Sequence, residues 1–388
     1  MARKRSTGAL VELRHALHRQ AELSSHEERT ARLIDDFMRI CGPDRVLHRL
    51  GDGRRPSHSA AYIFEGEPPG PTVLLRCELD ALPIAETLAL DYASTRDGVS
   101  HKCGHDGHMA ILAGVAADLA RRRPDRGCAV LFFQAAEETG EGAAQSLADD
   151  RLAALAPDAA VALHNLPGRD LGEVVLREGT FNCASVGLVA EFFGETSHAA
   201  EPAAARSPRA AIARLLHELP TLPAHLPDGA LLTVTHACLG EPTLGITPGA
   251  ATLMATLRAW SDETLDRLVE RAEAAMEEAA LAGDVSVAIE RREPFRAMQN
   301  APRLVESVDR AARALGLETT RLDEPLRWSE DFAEFGARYP SVLFGLGSGV
   351  EQPPLHSPLY DFPDQLIEPG VRLMRRIVDD LLENPRRV

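Results

Sequence analysis

The feature that most constrains this chain is a run of eight residues, 101 to 108, which reads HKCGHDGH. It brings three imidazoles, a thiol and a carboxylate together, and its two glycines let the backbone bend between them. Apolar residues at helical spacing follow from Met109 to Leu119, so the run is predicted to stand at the start of a helix. One interpretation is a polar loop that caps this helix. The concentration of Cys103, His105 and His108 favours a metal site, because thiolate and imidazole are common zinc ligands.

Acidic residues and a histidine follow three short apolar runs that are typical of buried strands. The runs, each with its polar successors, are Thr72 to Leu75 with Asp80, Ala129 to Phe133 with Glu137 and Glu138, and Ala159 to Leu163 with His164. Strands that alternate with a helix predict a doubly wound, mainly parallel α/β sheet. Ligands bind at the carboxyl ends of the strands in such sheets, so we expect these side chains to converge on the candidate metal loop.

The order of predicted elements changes in the middle of the chain and then returns. Residues 185–295 read as β-α-β-β-α-β, which predicts a small ferredoxin-like domain of the split βαβ type. Residues 1–184 and 296–388 would form the two parts of the catalytic, metal-binding domain, so the small domain is an insertion. Near the amino terminus, Ser24 and Ser25 followed by Glu27 and Glu28 predict the capped start of a helix.

Length, charge and composition limit the kinds of partner and the cell compartment that can be expected for this chain. A length of 388 residues is typical of two domains, and a net charge of −16 argues against nucleic acid and anionic membranes as partners. The basic start MARKRSTGAL is not followed by an apolar stretch, and no apolar run reaches the roughly 18 residues of a membrane span. The six cysteines are too scattered for a disulfide framework. We therefore expect a cytoplasmic protein.

The pair Glu137-Glu138 suggests how a metal site could act. Adjacent side chains of an extended segment point in different directions, so one carboxylate can bind a metal while the other faces a bound water. A divalent metal lowers the pKa of such a water to about 7, and a carboxylate can accept its proton. Two acids in isolation would indicate a solvated surface. Their place after an apolar strand favours catalysis, with zinc, cobalt or manganese as the metal.

Eight segments along nearly the whole chain follow the motif order of one known family. They are LRHALHRQAELSSHEERTA, LLRCELDALPIAE, HKCGHDGHMA, FFQAAEETGEGA, ALHNLPG, GETSHAAEPAAARSP, WSEDF and LHSPLYDFPD. The chain thus resembles the metal-dependent amidohydrolases related to aminoacylases and carboxypeptidases, which include hippurate hydrolases and indoleacetyl-amino-acid hydrolases. The CGHDGH and AEE segments are the most specific. The resemblance implies two divalent metal ions in the large domain and an inserted lid domain, often used for dimerisation.

The resemblance also implies roles for individual residues of the large domain. Glu137 would be the general base and then the acid that protonates the leaving amine. The residues that would bind the two metal ions are Cys103, His105, Glu138, His164 and His356. Cys103 stands where more distant dinuclear peptidases have a bridging Asp. Asp80 would orient a ligand histidine, and Asp106 and His108 would support the loop.

Two residues of the inserted domain are candidates for contact with the substrate. The resemblance implies that His198 reaches the active site, often from the partner subunit, to stabilise the oxyanion or hold the substrate. Arg258 ends a predicted strand and could bind a free carboxylate in a bidentate pair, or could be an ordinary surface arginine. Four positions depart from the family pattern: Glu78, Ala203, Gly245 and Trp328. The last three lie in or near the substrate contacts that the resemblance implies, and they leave the substrate open.

The leading hypothesis is a homodimeric or larger metal-dependent amidohydrolase. It would cleave the amide bond of an N-acyl amino acid, or of a similar small amide that carries a free carboxylate. A dipeptidase or carboxypeptidase-like enzyme is the first alternative. A binding protein that kept the fold without activity is another. A thiol enzyme built on Cys103 is the last, and it predicts indifference to chelators.

Overall fold

The structure is a computed structural model that describes residues 7–54, 57–227 and 229–383. Its chain forms two compact units. The first contains the described residues up to Phe181, Met298–Glu324 and the described residues from Glu330 onward. The second contains the described residues within Asn182–Ala297, together with Pro325–Ser329. Sequence reasoning placed this last segment with the large domain. The basic residues at the start of the sequence lie outside the described part.

The regular elements are numbered in chain order. The strands are β1 (Arg45–His48), β2 (Ala60–Glu65), β3 (Thr72–Glu78), β4 (Cys128–Gln134), β5 (Ala159–Pro167), β6 (Val174–Leu176), β7 (Gly179–Thr180), β8 (Ala184–Phe193), β9 (Leu231–Leu239), β10 (Ala250–Ala259), β11 (Ser286–Phe295), β12 (Gln299–Asn300), β13 (Thr319–Arg321) and β14 (Ser341–Gly349). The α-helices are α1 (Thr7–Arg19), α2 (Glu28–Cys41), α3 (His105–Arg121), α4 (Gly142–Leu147), α5 (Asp150–Ala153), α6 (Arg209–Glu218), α7 (Asp262–Ala282), α8 (Pro302–Ala314), α9 (Ala333–Gly336) and α10 (Ile367–Glu383). Short 3₁₀ helices span Pro202–Ala204, Leu219–His225 and Asp364–Leu366.

The first unit is built on an eight-stranded sheet in the order β1-β2-β4-β3-β5-β14-β6-β13. Its centre, β4-β3-β5-β14, is parallel, whereas β1 and β2 join one side in antiparallel pairing. The central strands are buried almost throughout, as their continuous apolar sequences require in a sheet covered on both faces. The predicted mainly parallel α/β sheet is confirmed. Its parallel strands direct their carboxyl ends to one edge.

Helix α3 carries the HKCGHDGH run into the core of the first unit. It packs against α1, α2 and α10, and its residues from His105 to Ala117 are buried. Gly114 allows the close approach, since a Cβ there would lie 2.3 Å from Val371 and 2.9 Å from Leu10. Because α3 is packed on all sides, its position in the core is fixed. The residues of its first turn are therefore held in a defined place.

Helix α1 holds the first turn of α3 through a buried group of charges. The carboxylate of Asp106 accepts a hydrogen bond from Arg14 Nε at 2.9 Å and lies 2.8 Å from His18 Nδ1. The other ring nitrogen of His18 lies 2.8 Å from Glu86. Arg14, His18 and Asp106 are fully buried. Breaking such a group would leave an uncompensated buried charge. The group therefore holds α1 firmly against the candidate metal loop.

The start of α2 differs from the predicted capping box. The helix begins at Glu28, and its cap residue Glu27 makes no side-chain bond to the helix. Instead the carboxylate of Glu22 accepts the N–H groups of Arg29 and Thr30, at 2.8 and 2.9 Å. The prediction is wrong because Glu22, from before the turn, satisfies the free N–H groups that a local cap would have bound. The Glu27 carboxylate is thereby left for contacts elsewhere.

The second unit is a four-stranded antiparallel sheet in the order β11-β8-β10-β9. Buried and partly exposed residues alternate along β8 and β10, as expected for a sheet with one covered face. Helices α6 and α7 pack on that face, and the side chain of Ser261 caps α7 by accepting the N–H of Thr264. The predicted β-α-β-β-α-β order is confirmed. Among the described helices, none is both long and apolar enough to cross a membrane.

We expect the free energy of unfolding to fall as the pH rises from 6.5 to 9, in part because of His18. Burial lowers the pKa of His18, but its hydrogen bonds to Asp106 and Glu86 raise it by more, from 6.5 to about 9. Charged His18 therefore adds stability that is complete below pH 6.5 and is lost as the pH rises through 9, at most about 3 kcal/mol.

Urea unfolding of the wild type and of His18→Gln at intervals across this pH range measures the contribution. The wild-type curve should fall more steeply than that of the variant, because all other titrating groups are shared. Parallel curves would show that His18 is not charged in the folded protein.

Candidate metal centre

Three donor atoms, from the loop before α3, from α3 and from β5, meet at the carboxyl edge of the first unit's sheet. Cys103 precedes α3, His105 is its first residue, and His164 lies on β5. One donor atom from each lies within 4.8 Å of the others, and Cys103 Sγ is 3.4 Å from His164 Nε2. His164 was predicted to follow its strand, but β5 continues to Pro167. The strand is longer because its pairing with β14 extends past His164, which lies opposite Gly345. All three residues are buried.

Two glutamates and a distant histidine complete the group. Glu138 Oε1 lies 3.8 Å from His105 Nε2 and 3.8 Å from His356 Nε2, and Glu137 Oε2 lies 3.9 Å from His105 Nε2. Cys103, Glu138 and His356 also hold their donor atoms within 4.8 Å of one another. The backbone N–H of His356 donates to the carbonyl oxygen of Lys102 at 2.8 Å. The structure thus brings together the five predicted ligands and the predicted base.

The imidazoles of His105 and His164 are oriented in the same way. His105 Nδ1 bonds the carbonyl oxygen of Asp80 at 2.9 Å, and His164 Nδ1 bonds the carbonyl oxygen of Asn165 at 3.0 Å. Because a carbonyl only accepts, each Nδ1 must carry the proton, which leaves a lone pair on Nε2. His105 Nε2 lies near Glu137 and Glu138, and His164 Nε2 lies 3.4 Å from Cys103 Sγ. Metal-binding histidines typically have this arrangement.

His108 is placed differently from His105, although the sequence alone ranked the two as equal candidates. Its Nδ1 lies 2.7 Å from Glu78, and its Nε2 lies 2.5 Å from Asn165 Oδ1. Both ring nitrogens are therefore engaged by protein groups. Asn165 also approaches Gly104, where φ is 95° and a Cβ would lie 2.4 Å from Asn165 Oδ1. Only glycine fits this turn of the loop.

Asp80 contacts the centre through both its main chain and its side chain. Its carbonyl oxygen holds His105, while its carboxylate Oδ1 is 3.7 Å from the same ring. Carboxylate Oδ2 accepts the N–H of Glu138 at 2.9 Å and the hydroxyl of Ser24 at 2.7 Å. Asp80 therefore orients a histidine through its backbone and a glutamate through its side chain.

A buried ion network behind Glu137 was not predicted from the sequence. Arg76, in the middle of β3, forms ion pairs with Glu78, with Glu330 at 2.8 Å and with Asp331 at 2.6 Å. Donor oxygens of Glu137, Glu330 and Asp331 lie within 4.8 Å of one another. Two features of the sequence could have indicated this network: a charged residue, Arg76, beside an apolar run, and the acidic pair Glu330-Asp331 of the WSEDF segment. Their pairing joins residues 255 positions apart.

The electrostatics of the centre suit a cation. Burial raises the pKa of Glu137, and the nearby carboxylates of Glu330 and Glu138 raise it further. Burial likewise raises the pKa of Glu138 and of Cys103 and lowers that of His164. Bound positive charge would oppose the upward shifts of the two glutamates and the thiol, because carboxylate and thiolate are the metal-binding forms. The downward shift of His164 already favours neutral imidazole, which is the form that binds metal.

Unpartnered atoms point to the same conclusion. His105 Nε2 and Glu138 Oε1 are buried and have no hydrogen-bond partner among the described residues. A buried polar atom without a partner is costly and requires an explanation such as a bound ion. The set of sulfur, nitrogen and oxygen donors fits a divalent metal of the zinc type.

His198 and Arg258 belong to the second unit. His198 is exposed, and its Nδ1 accepts the N–H of Ala200 at 3.1 Å. Arg258, on β10, donates from Nη1 to the carbonyl oxygen of Arg327 at 2.9 Å and to the hydroxyl of Ser329 at 3.0 Å. Burial lowers the pKa of Arg258. The departures from the family pattern at Ala203, Gly245 and Trp328 also lie in this unit.

Known proteins match this chain along most of its length. An uncharacterized hydrolase, y4tI, from Sinorhizobium fredii is 31% identical over 96% of this chain and 94% of its own. N-acetyldiaminopimelate deacetylase from Anoxybacillus flavithermus is 28% identical over 95% of this chain and 96% of its own. The solved YXEP protein of Bacillus subtilis has the same fold, with a TM-score of 0.79 and 23% identity over 97% of this chain and 98% of its own.

The model of peptidase family M20/M25/M40 matches residues 74–380. This range contains the whole group of donor side chains described above. The resemblance to amidohydrolases inferred from the sequence motifs is confirmed. The chain therefore belongs to peptidase family M20/M25/M40 and is a metal-dependent enzyme that acts on amide bonds.

Proposed function

We propose that the chain hydrolyses the amide bond of N-acyl amino acids, using two divalent metal ions such as zinc, manganese or cobalt. The ligands would be Cys103, His105, Glu138, His164 and His356. The observation that carries this proposal is the orientation of His105, whose protonated Nδ1 faces a carbonyl while its buried Nε2 faces Glu137 and Glu138 without a partner. Two relatives support it in their descriptions, one as a dinuclear metal binding peptidase and one as a deacetylase of N-acetyldiaminopimelate.

In this proposal Glu137 moves the proton. Bound divalent ions would supply a more acidic water and polarise the scissile carbonyl. The Glu137 carboxylate accepts the proton of the attacking water and later delivers it to the amine nitrogen as the C–N bond breaks. Glu137 Oε2 lies 3.9 Å from His105 Nε2, so this carboxylate is next to a proposed metal ligand. His198 would stabilise the oxyanion.

Replacing Glu137 with Gln should abolish turnover and leave the metal content nearly unchanged. The amide keeps the shape of the side chain but cannot accept the proton, so we expect kcat to fall by about 10²–10⁴. Metal analysis and kinetics on the same preparation give both quantities. Glu138→Gln is the matched comparison, because it removes a proposed ligand and should lower the metal content. A Glu137→Gln enzyme with normal turnover would refute the role of base.

Arg258 would bind the free carboxylate of the substrate. Two of its hydrogen bonds run to neutral oxygen atoms of Arg327 and Ser329, which fix the guanidinium in place. It forms no ion pair with an acidic side chain within the described ranges. A partly buried cation without a carboxylate partner is suited to a bidentate pair with an anionic ligand.

Arg258→Ala should therefore raise KM for N-acyl amino acids by about 10–100-fold, the loss of one charge-assisted pair. It should change KM little for the same compounds with the carboxylate converted to a carboxamide. Arg327→Ala, which removes a neighbouring exposed cation, is the control. Equal effects on the acid and the carboxamide would exclude this role. Dipeptides assayed in parallel test the alternative, because a peptidase would cleave them faster than N-acyl amino acids.

We also propose a homodimer formed through the second unit. Strand β9 lies at an edge of its sheet, and its residues from 235 to 239 are exposed. An exposed edge strand can pair with the same strand of a second copy about a twofold axis. Sedimentation should give a dimer for the wild type, and Ala237→Pro in this edge should shift the equilibrium towards monomer. A monomeric wild type at micromolar concentration would contradict the proposal.

The proposed compartment is the cytoplasm. All six cysteines lie in the described part of the chain, and none of them forms a disulfide there, as is typical of proteins from a reducing environment. Fractionation of cells that express the chain would test this assignment, and recovery outside the cytoplasmic fraction would overturn it.

A further inference from the structure

We propose that Glu27 is a positioning residue that sets the direction of Glu137 and Glu138. The inference rests on the proposed function, in which these glutamates are the base and a metal ligand. Glu27 lies in the loop Glu22–Glu27 that precedes α2, and we call this segment the entry loop. Its sequence suggested only a helix cap, and the structure gives it a different set of contacts.

Glu27 binds two residues that have an uncommon backbone conformation. Its side chain is fully buried, and its Oε1 accepts the N–H of Ala136 at 2.8 Å and the N–H of Ser25 at 2.9 Å. Ala136 and Ser25 have φ values of 56° and 66°. This left-handed region is unfavourable for residues with a Cβ and persists only where surrounding contacts enforce it. One carboxylate oxygen therefore stabilises two such residues in separate segments of the chain.

Ala136 is the residue at which the chain turns out of β4 towards the metal centre. The N–H of Gly142 returns to the carbonyl oxygen of Ala136 at 2.9 Å, and the N–H of Gly140 returns to that of Glu137 at 2.8 Å. The carbonyl groups of the turn are thus bound by backbone N–H groups of the same segment. The N–H of Ala136 is bound by the side chain of Glu27 instead. Without this bond Ala136 can relax to a negative φ, which would rotate Glu137 and Glu138 away from His105.

The entry loop contains its own control for a general loss of stability. Glu22 is also buried, and its carboxylate also accepts two backbone N–H groups, those of Arg29 and Thr30. These lie at the start of α2 and not in the turn that carries the glutamates. Removing either carboxylate takes the acceptor from one buried and one partly buried N–H group. If the Glu27 and Glu22 variants differ in metal binding, the cause is the place of Glu27 in the structure and not the loss of hydrogen bonds as such.

The experiment compares the wild type with Glu27→Ala, Glu27→Gln and Glu22→Ala. Each is measured for hydrogen exchange of the segment 134–141, for zinc affinity by chelator competition, and for kcat and KM. Glu27→Ala should exchange faster in 134–141, bind zinc about 10–100-fold more weakly and lose kcat rather than KM. Glu27→Gln keeps an acceptor oxygen and should stay within about threefold of the wild type in zinc affinity, since a neutral acceptor still holds both N–H groups.

Glu22→Ala should lose stability and exchange faster near residue 29 while keeping the zinc affinity of the wild type. The proposal is overturned if Glu27→Ala resembles Glu22→Ala in zinc affinity and in exchange of 134–141, or if Glu27→Gln is as damaged as Glu27→Ala. If Glu27→Ala does not fold, Glu27→Asp retracts the carboxylate by one methylene and should show the same effects to a smaller degree. Exchange and zinc affinity are measured without substrate, so they decide the role of Glu27 even if the proposed reaction is wrong.

Discussion

The centre of this enzyme depends on hydrogen bonds between imidazole Nδ1 atoms and backbone carbonyl oxygens. The carbonyl of Asp80 fixes the tautomer and direction of His105, and the carbonyl of Asn165 does the same for His164. Because these carbonyls belong to the ends of neighbouring parallel strands, the sheet itself determines where both lone pairs point. Short connections, before α3 for Cys103 and after β4 for the two glutamates, bring the remaining donors to the same place.

The remaining polar groups support an excess of negative charge in a buried space. Arg76 balances the acids behind Glu137, and the Arg14–His18–Asp106 group holds the first turn of α3 from the other side. Burial and neighbouring carboxylates raise the pKa values of Glu137 and Glu138. Divalent ions would supply the missing positive charge, and for this reason metal binding and the geometry of the centre are expected to depend on each other.

Much of this arrangement could be predicted because it follows from local patterns. The spacing of Cys103 and His105 and the rule that ligands gather at strand ends together located the centre, while His356 was reached only through the resemblance to a family. Glu27 and Arg76 escaped prediction because their partners are distant in sequence. For Glu27 the local pattern indicated a helix cap, and a tertiary contact with Ala136 took its place. When the local sequence already suggests a role for a residue, it does not reveal a different contact that forms only in the folded protein.

The central claim is that Cys103, His105, Glu138, His164 and His356 hold divalent ions. Anomalous diffraction from crystals of the zinc-loaded enzyme, recorded on both sides of the zinc absorption edge, tests it most directly. We predict peaks at about 2.0–2.4 Å from His105 Nε2, His164 Nε2 and Cys103 Sγ, the usual distances for zinc to nitrogen and sulfur. An active enzyme with no anomalous peak beside these atoms would contradict the account.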